Sequence, residues 1–392
     1  MTICPICKGS SFIEVDRRAR VPLLQNRVWE DRAGARVAPA GALSMMFCRT
    51  CEFAWNGAFD RSKVLYDPAY DNDQMQSDYF RKHVAAMARR IVDAAPKAGC
   101  LHVAEVGCGQ GAFLAELAEV GGKRFASLTG FDPAWRGQLP SEAPNIRILQ
   151  RYFGQETAYL MEEPAQIVVS RHTIEHVPDP IEFLRSIRTA MLNSPDARLF
   201  LETPDIGWIF RNFQPQDLFY EHCSLFSPRA FEFALASTGF ELLQLEHVFG
   251  GQYLWVEARP GDISHPPMTA ASELLADANR FVERRAEFVE KWGDQIDIVA
   301  QGSGVWVWGA SSKGVTFALL VDPAGARLKG AIDINPNKVG RFMPISTLPI
   351  SAPSELLDGA TVIVMNPNYH AEIVEIVAEI GTNVTILNLT DI

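Results

Sequence analysis

The chain has 392 residues, 47% hydrophobic and 21% charged, which is the balance of a folded protein with room for two domains and an appended module. A formal net charge of −11 repels phosphate backbones, so no nucleic-acid partner is expected. Met1–Cys7 lacks an export signal and no run of roughly 18 apolar residues occurs, so no membrane association is expected and the cytoplasm is the expected location.

Residues 1–60 carry two cysteine pairs and many Arg, Gly and Pro with little periodicity, which suits a small knot held by metal. Phe80, Val84, Met87 and Ile91 then recur at helical spacing and predict a helix over 78–95. Strand and helix signals alternate after it. Strands are predicted at 101–106, 127–131, 146–149, 166–170 and 198–202, with helices at 112–119 and 180–192. This is the rhythm of an open, doubly wound α/β sheet. One long amphipathic helix is predicted over 268–300, with Leu274, Leu275, Ala278, Phe281 and Trp292 on its apolar face. A second α/β pattern follows, with strands at 305–308, 330–334, 361–365 and 384–387. The expected division is a module at 1–65, an α/β domain at 66–262 and a second α/β domain at 263–392.

Chemistry concentrates first in Glu105-Val-Gly107-Cys108-Gly109-Gln-Gly111, where a buried strand runs into a glycine-rich turn and then a helix. Glycines there let the backbone approach a ligand that a side chain would exclude. The order G-x-G-x-G after an acidic residue differs from the dinucleotide fingerprint G-x-G-x-x-G. It resembles the first motif of class I methyltransferases, whose loop passes under the methionine part of S-adenosylmethionine. Three further markers follow in order. Asp132-Pro133 ends the next strand, where a carboxylate can accept both ribose hydroxyls. Tyr152-Phe153 can flank an adenine, and Ser170-Arg-His172 leads into Glu175-His176-Val-Pro-Asp179 ahead of a helix. His176 could also serve only to cap that helix. The four cysteines Cys4, Cys7, Cys48 and Cys51 form two C-x-x-C pairs with 40 residues between them. Four thiolates suit tetrahedral zinc and leave no open position, so the expected role is structural.

Taken together, the chain resembles the bacterial sugar C-methyltransferases, which join an N-terminal four-cysteine zinc module, a class I methyltransferase domain and a C-terminal Rossmann-like α/β domain. Trp308-Gly309-Ala-Ser-Ser-Lys313-Gly314, Asp333-Ile-Asn335-Pro336-Asn-Lys338 and Asn366-Pro367 match that family's C-terminal wording. The resemblance implies a small-molecule acceptor, a nucleotide-linked sugar, and an acceptor segment at Phe219-Tyr220-Glu221-His222. In it His222 would be the base and Glu221 its orienting carboxylate, with Tyr220 or His176 as donor to the developing oxyanion. The family's tyrosine, two residues before the glutamate, falls on Phe219. The segment Tyr66–Gln74 matches a stretch that lies across cofactor and substrate in that family, and Lys313 could meet an anionic ligand. O-methylation by the same base, and cofactor binding without catalysis, are the alternatives that these residues leave open.

Overall fold

The computed structural model describes residues 3–66, 70–97, 99–139, 144–161, 163–265, 272–300 and 302–390. The N-terminal stretch, expected to be largely irregular, forms an antiparallel sheet. Its strands are β1 (Phe12–Pro22), β2 (Ala40–Cys48) and β3 (Ala54–Asn56). The alternation of β1 is hidden in the sequence because an inward position carries paired charge. Buried Asp16 lies 2.9 Å from Arg18 and 2.9 Å from Arg285. Two register shifts in the β1–β2 ladder obscure the period further.

The second sheet follows the predicted rhythm. Apolar runs without alternation become the parallel strands β4 (Leu101–Val106), β5 (Phe125–Phe131), β6 (Ile146–Leu149), β7 (Ile167–Arg171) and β8 (Arg198–Pro204). Such runs read as strands buried on both faces. The short β9 (Ser224–Leu225) leaves this region and pairs with β3, so it completes the first sheet as its fourth strand. Two antiparallel strands, β10 (Phe240–Val248) and β11 (Tyr253–Pro260), then close the second sheet in the order β10-β11-β8-β7-β4-β5-β6. The order reverses between β4 and β7. The carboxyl ends of those two strands open a crevice, where ligands bind in open α/β sheets.

The third sheet is wholly parallel: β12 (Val305–Trp308), β13 (Gly330–Ile332), β14 (Ile350–Ser351), β15 (Thr361–Val364) and β16 (Thr385–Asn388), in the order β14-β13-β12-β15-β16. The helix Leu275–Val299 spans two cores. Phe281 packs on Phe210 and Phe213 beneath the first sheet, and Trp292 and Ile296 pack into the third. It begins later than the apolar periodicity implies, and the expected positions 268–271 lie outside the described residues. The chain therefore has the class I methyltransferase fold, with a second α/β domain behind it.

Candidate active site

The glycine-rich loop leaves β4 at the crevice. Gly107, Gly109 and Gly111 have φ of +78°, +55° and +84°, a region that L side chains rarely adopt. A Cβ on Gly107 would lie 1.9 Å from Thr173 Oγ1, so this position has no room for a side chain. Asp132, at the end of β5, accepts hydrogen bonds from Gly109 N and Ala134 N and thereby joins the two loops. Burial raises its carboxyl from the usual range, and those backbone amides oppose the rise. Glu105 is buried, and its Oε2 has no hydrogen-bond partner. Burial pushes it up to about 8, against the pull of Arg171. An orphaned buried carboxylate, open glycine backbone and a second carboxylate fit the ammonium, methionine and ribose parts of S-adenosylmethionine.

Other residues expected near the donor take different positions. Ser170 donates to Val106 O and fastens the ends of β7 and β4 together. Cys108 is buried, and a Cβ on Gly130 would meet its sulfur at 2.6 Å. Pro133 O accepts from Gln150 Nε2. Phe153 packs edge-on to Phe131, whereas Tyr152 is largely exposed beneath Arg61.

His172 follows β7 at φ +50° and enters a buried charge cluster that the motifs did not reveal. Glu202, fully buried within β8, lies 2.8 Å from His172 Nε2, 2.9 Å from Arg171 and 2.8 Å from His83. Burial disfavours charge on His172, but Glu175 and Glu202 outweigh it and raise the imidazole to about 9. Arg171 and the other cations hold Glu202 well below the usual carboxylate range, although burial alone would raise it. A polar residue ending an apolar strand was the only sequence signal for Glu202. His83 sits on a helix position that reads as solvent-facing.

The acceptor segment lies beside this cluster. His222 packs against Phe219 with the rings tilted by 39° and centroids 3.9 Å apart, and meets His176 edge-on at 4.8 Å. His222 Nδ1 is buried without a partner. Burial, followed by the charges of His176, His172 and Lys313, holds its pKa well below that of an ordinary histidine. Glu221 accepts from Gln25 N and from the hydroxyls of Tyr66 and Tyr70, and lies 3.7 Å from His176 Nδ1. Tyr66 OH is also 2.9 Å from His176 Nδ1. Both tyrosines are held neutral, chiefly by burial. His176 does not cap the following helix; Asp179 does, accepting from Glu182 N. Tyr220 points away from these groups. Its hydroxyl accepts from Asp60 N, and its ring packs on Phe59 within the core of the first sheet.

A cleft of about 200 Å³ joins the acceptor segment to the third sheet. His172, His176, Phe219 and His222 form one wall, and the Gly309–Gly314 loop after β12 forms the other. Lys313 reaches across to Asp217, with Nζ 2.7 Å from Oδ2, and lies over the Trp208 ring. Residues 70–77 run along the cleft and are tied to the far side: Asp71 accepts from Asn335 and Asn337, and Ser77 donates to Glu372. Residues 67–69 of this segment lie outside the described residues.

In the N-terminal sheet region the four cysteines converge. Cys4 and Cys51 sulfurs are 3.5 Å apart and Cys7 and Cys48 sulfurs 3.6 Å apart, too far for disulfides. Four thiols that all lie within 4.8 Å of one another fit a tetrahedral metal, for which bonds of about 2.3 Å set sulfurs roughly 3.8 Å apart.

Known proteins agree with this architecture. The family described as "Methyltransferase domain" matches residues 74–245, and "C-methyltransferase C-terminal domain" matches residues 271–387. The chain is 24% identical over 378 residues to the C-methyltransferase NovU of Streptomyces niveus, covering 90% of this chain and 86% of that protein. It is 25% identical over 146 residues to the ubiquinone biosynthesis O-methyltransferase of Stutzerimonas stutzeri (strain A1501), covering 35% of this chain and 54% of that protein. Among solved structures, the riboflavin-derivative dimethyltransferase RosA of Streptomyces davawensis matches 46% of this chain and 57% of its own. The TM-score is 0.36 and the identity 19%. Among the described residues, no helix is long and apolar enough to cross a membrane. With a methyltransferase domain and a C-methyltransferase C-terminal domain in one chain, the protein is an S-adenosylmethionine-dependent methyltransferase of the C-methyltransferase family.

Proposed function

We propose that the protein methylates a carbon beside the ketone of a nucleotide-linked keto-sugar, with His222 as the base. The observation that carries this reading is a neutral, unpartnered imidazole in the wall of the cleft, between the methyl-donor crevice and a second glycine-rich loop. S-adenosylmethionine would supply the electrophilic methyl of its sulfonium, the S–CH3 bond breaking with its electron pair left on sulfur. In this reading Glu105, Gly107, Gly109, Gly111 and Asp132 hold it, with Phe153 on the adenine side. His222 takes the proton from the acceptor carbon, and the electron pair of that C–H bond becomes the enolate that forms the new C–C bond. The lowered pKa leaves His222 unprotonated and so able to take a proton, while the same burial weakens it as a base, since general-base efficiency is greatest with a pKa near the working pH. His176, braced by Tyr66 and Glu221 and edge-on to His222, is a donor for the enolate oxygen in this reading. Lys313 and the amino end of the helix Ser312–Val321 offer positive charge to a diphosphate. In the same reading the chain divides at 1–65, 66–262 and 263–392, with the four cysteines holding a structural zinc ion.

The test is incubation with S-adenosylmethionine and a panel of nucleotide 4-keto-6-deoxysugars in D2O, with products read by mass spectrometry and NMR. A new carbon-bound methyl, with solvent deuterium entering beside the ketone and both signals lost in His222→Asn, is the expected result. A methyl ether would transfer the same base to O-methylation and sink the enolate. No product from any acceptor, with cofactor binding intact, would favour a non-catalytic binding protein.

A further inference from the structure

Three side chains in the cleft wall bring donor atoms close together. Glu175, His176 and His222 each offer one atom, and all three atoms lie within 4.8 Å of one another. Glu175 is fully buried. Its Oε2 accepts from Thr203 Oγ1 at 2.9 Å, whereas Oε1 has no hydrogen-bond partner and only the His172 ring at 3.6 Å. His176 is anchored through Nδ1 to the Tyr66 hydroxyl, which leaves its other ring nitrogen free. His222 Nδ1 is buried and unpartnered, with the ring fixed against Phe219. Buried polar atoms normally find partners, so an orphaned His222 Nδ1 close to a Glu175 Oε1 that has only the long ion pair to His172 calls for a ligand that accepts electron pairs from both. The anchors match a recurrent feature of metal sites. A ligating histidine usually engages its second nitrogen with an oriented partner, and a ligating carboxylate is hydrogen-bonded through its other oxygen.

The geometry points to a second metal site, in which Glu175, His176 and His222 hold a divalent transition metal ion at the wall of the cleft. Two imidazoles and one carboxylate suit zinc, cobalt or iron rather than magnesium or calcium, which prefer oxygen alone. Bonds of about 2.0–2.2 Å place donors of a tetrahedron roughly 3.3 Å apart, within reach of small side-chain rotations. Three protein ligands leave a position open toward the cleft. The site stands on the donor set and not on the identity of the acceptor. It does bear on turnover: a metal bound to His222 withdraws the lone pair that proton abstraction needs, so the metal-bound protein is the inactive form of the enzyme proposed above.

The full chain, with its cysteine module already metal-loaded, is titrated with cobalt(II) and followed by absorption and by elemental analysis after dialysis. One further cobalt per chain is expected, with the visible bands of nitrogen and oxygen ligands and no thiolate charge-transfer band. Glu175→Gln and His176→Ala should each lose that equivalent. Tyr66→Phe, which removes one hydroxyl and keeps the ring, should retain the equivalent but bind it about ten- to a hundredfold more weakly. This last variant decides the matter if the others fail to fold. No extra cobalt in the wild type, cobalt on thiolates, or unchanged affinity in Tyr66→Phe would overturn the site.

Discussion

His172→Asn separates a structural charge from the rest of the molecule. In the folded chain the imidazole is raised to about 9 by Glu175 and Glu202, which prevail over burial. An unfolded histidine titrates near ~6.5, so the difference corresponds to about 3 kcal/mol of charge-dependent stability. Because the folded value is the higher one, this stabilisation is complete below about pH 6.5 and is lost as pH rises toward 9. Asparagine is the suitable replacement because residue 172 sits at φ +50°, which asparagine tolerates better than most residues. Glu202 keeps Arg171 and His83 in the variant, so the carboxylate is not left alone. Urea unfolding of both proteins at pH 6.5 and 9.5 gives the stability gap at each pH, and groups common to both cancel. The gap should shrink by about 3 kcal/mol at the higher pH. A gap that stays constant to within about 0.5 kcal/mol would refute the assignment of this charge to His172.

Gly107→Ala places a Cβ against Thr173 at φ +78°, and calorimetry should show S-adenosylmethionine binding weakened at least about tenfold; normal affinity would contradict the close-approach argument. Tyr220→Phe removes the acceptor of the Asp60 amide, so unfolding should cost about 0.5–1.5 kcal/mol less while turnover stays unchanged, and a large loss of turnover would return Tyr220 to the chemistry. Cys48→Ser leaves three thiols for the metal, and elemental analysis should show the cysteine-bound ion lost together with a lower melting temperature. Lys313→Met should raise KM for a diphosphate-bearing acceptor with little change in kcat, since it removes binding charge from the cleft, and a fall in kcat alone would count against that role.

The legibility of the fold follows the range of the forces involved. β4, β6 and β12 are short apolar runs whose hydrogen bonds are repeated along the strand, and their bounds are those read from the sequence. β1 is not legible because its Arg-rich pattern makes sense only once Asp16 meets Arg285, about two thirds of the chain away. β9 has two residues and is defined by its neighbour β3 alone. β10 and β11 alternate weakly, so the sequence predicts no strand between the acceptor segment and the long helix. The start of that helix also differs, since Leu274 fits the apolar period but lies in the turn before the first helical residue.

At the acceptor site the difference between one residue and the next decides what each side chain meets. Phe219 and His222 face the cleft, Glu221 turns toward Tyr66 and Tyr70, and Tyr220 turns into the core of the first sheet. A tyrosine at 220 therefore cannot stand in for one at 219, however close the two positions look in the sequence. The hydroxyls near the histidines come instead from residues 66 and 70, and the 70–77 segment is tied to Asn335, Asn337 and Glu372 of the C-terminal part through Asp71 and Ser77. Burial keeps those hydroxyls protonated, and the same burial keeps His222 neutral and its lone pair available. One physical cause, burial beside the cleft, thus holds both the tyrosine hydroxyls and the His222 imidazole in their neutral forms.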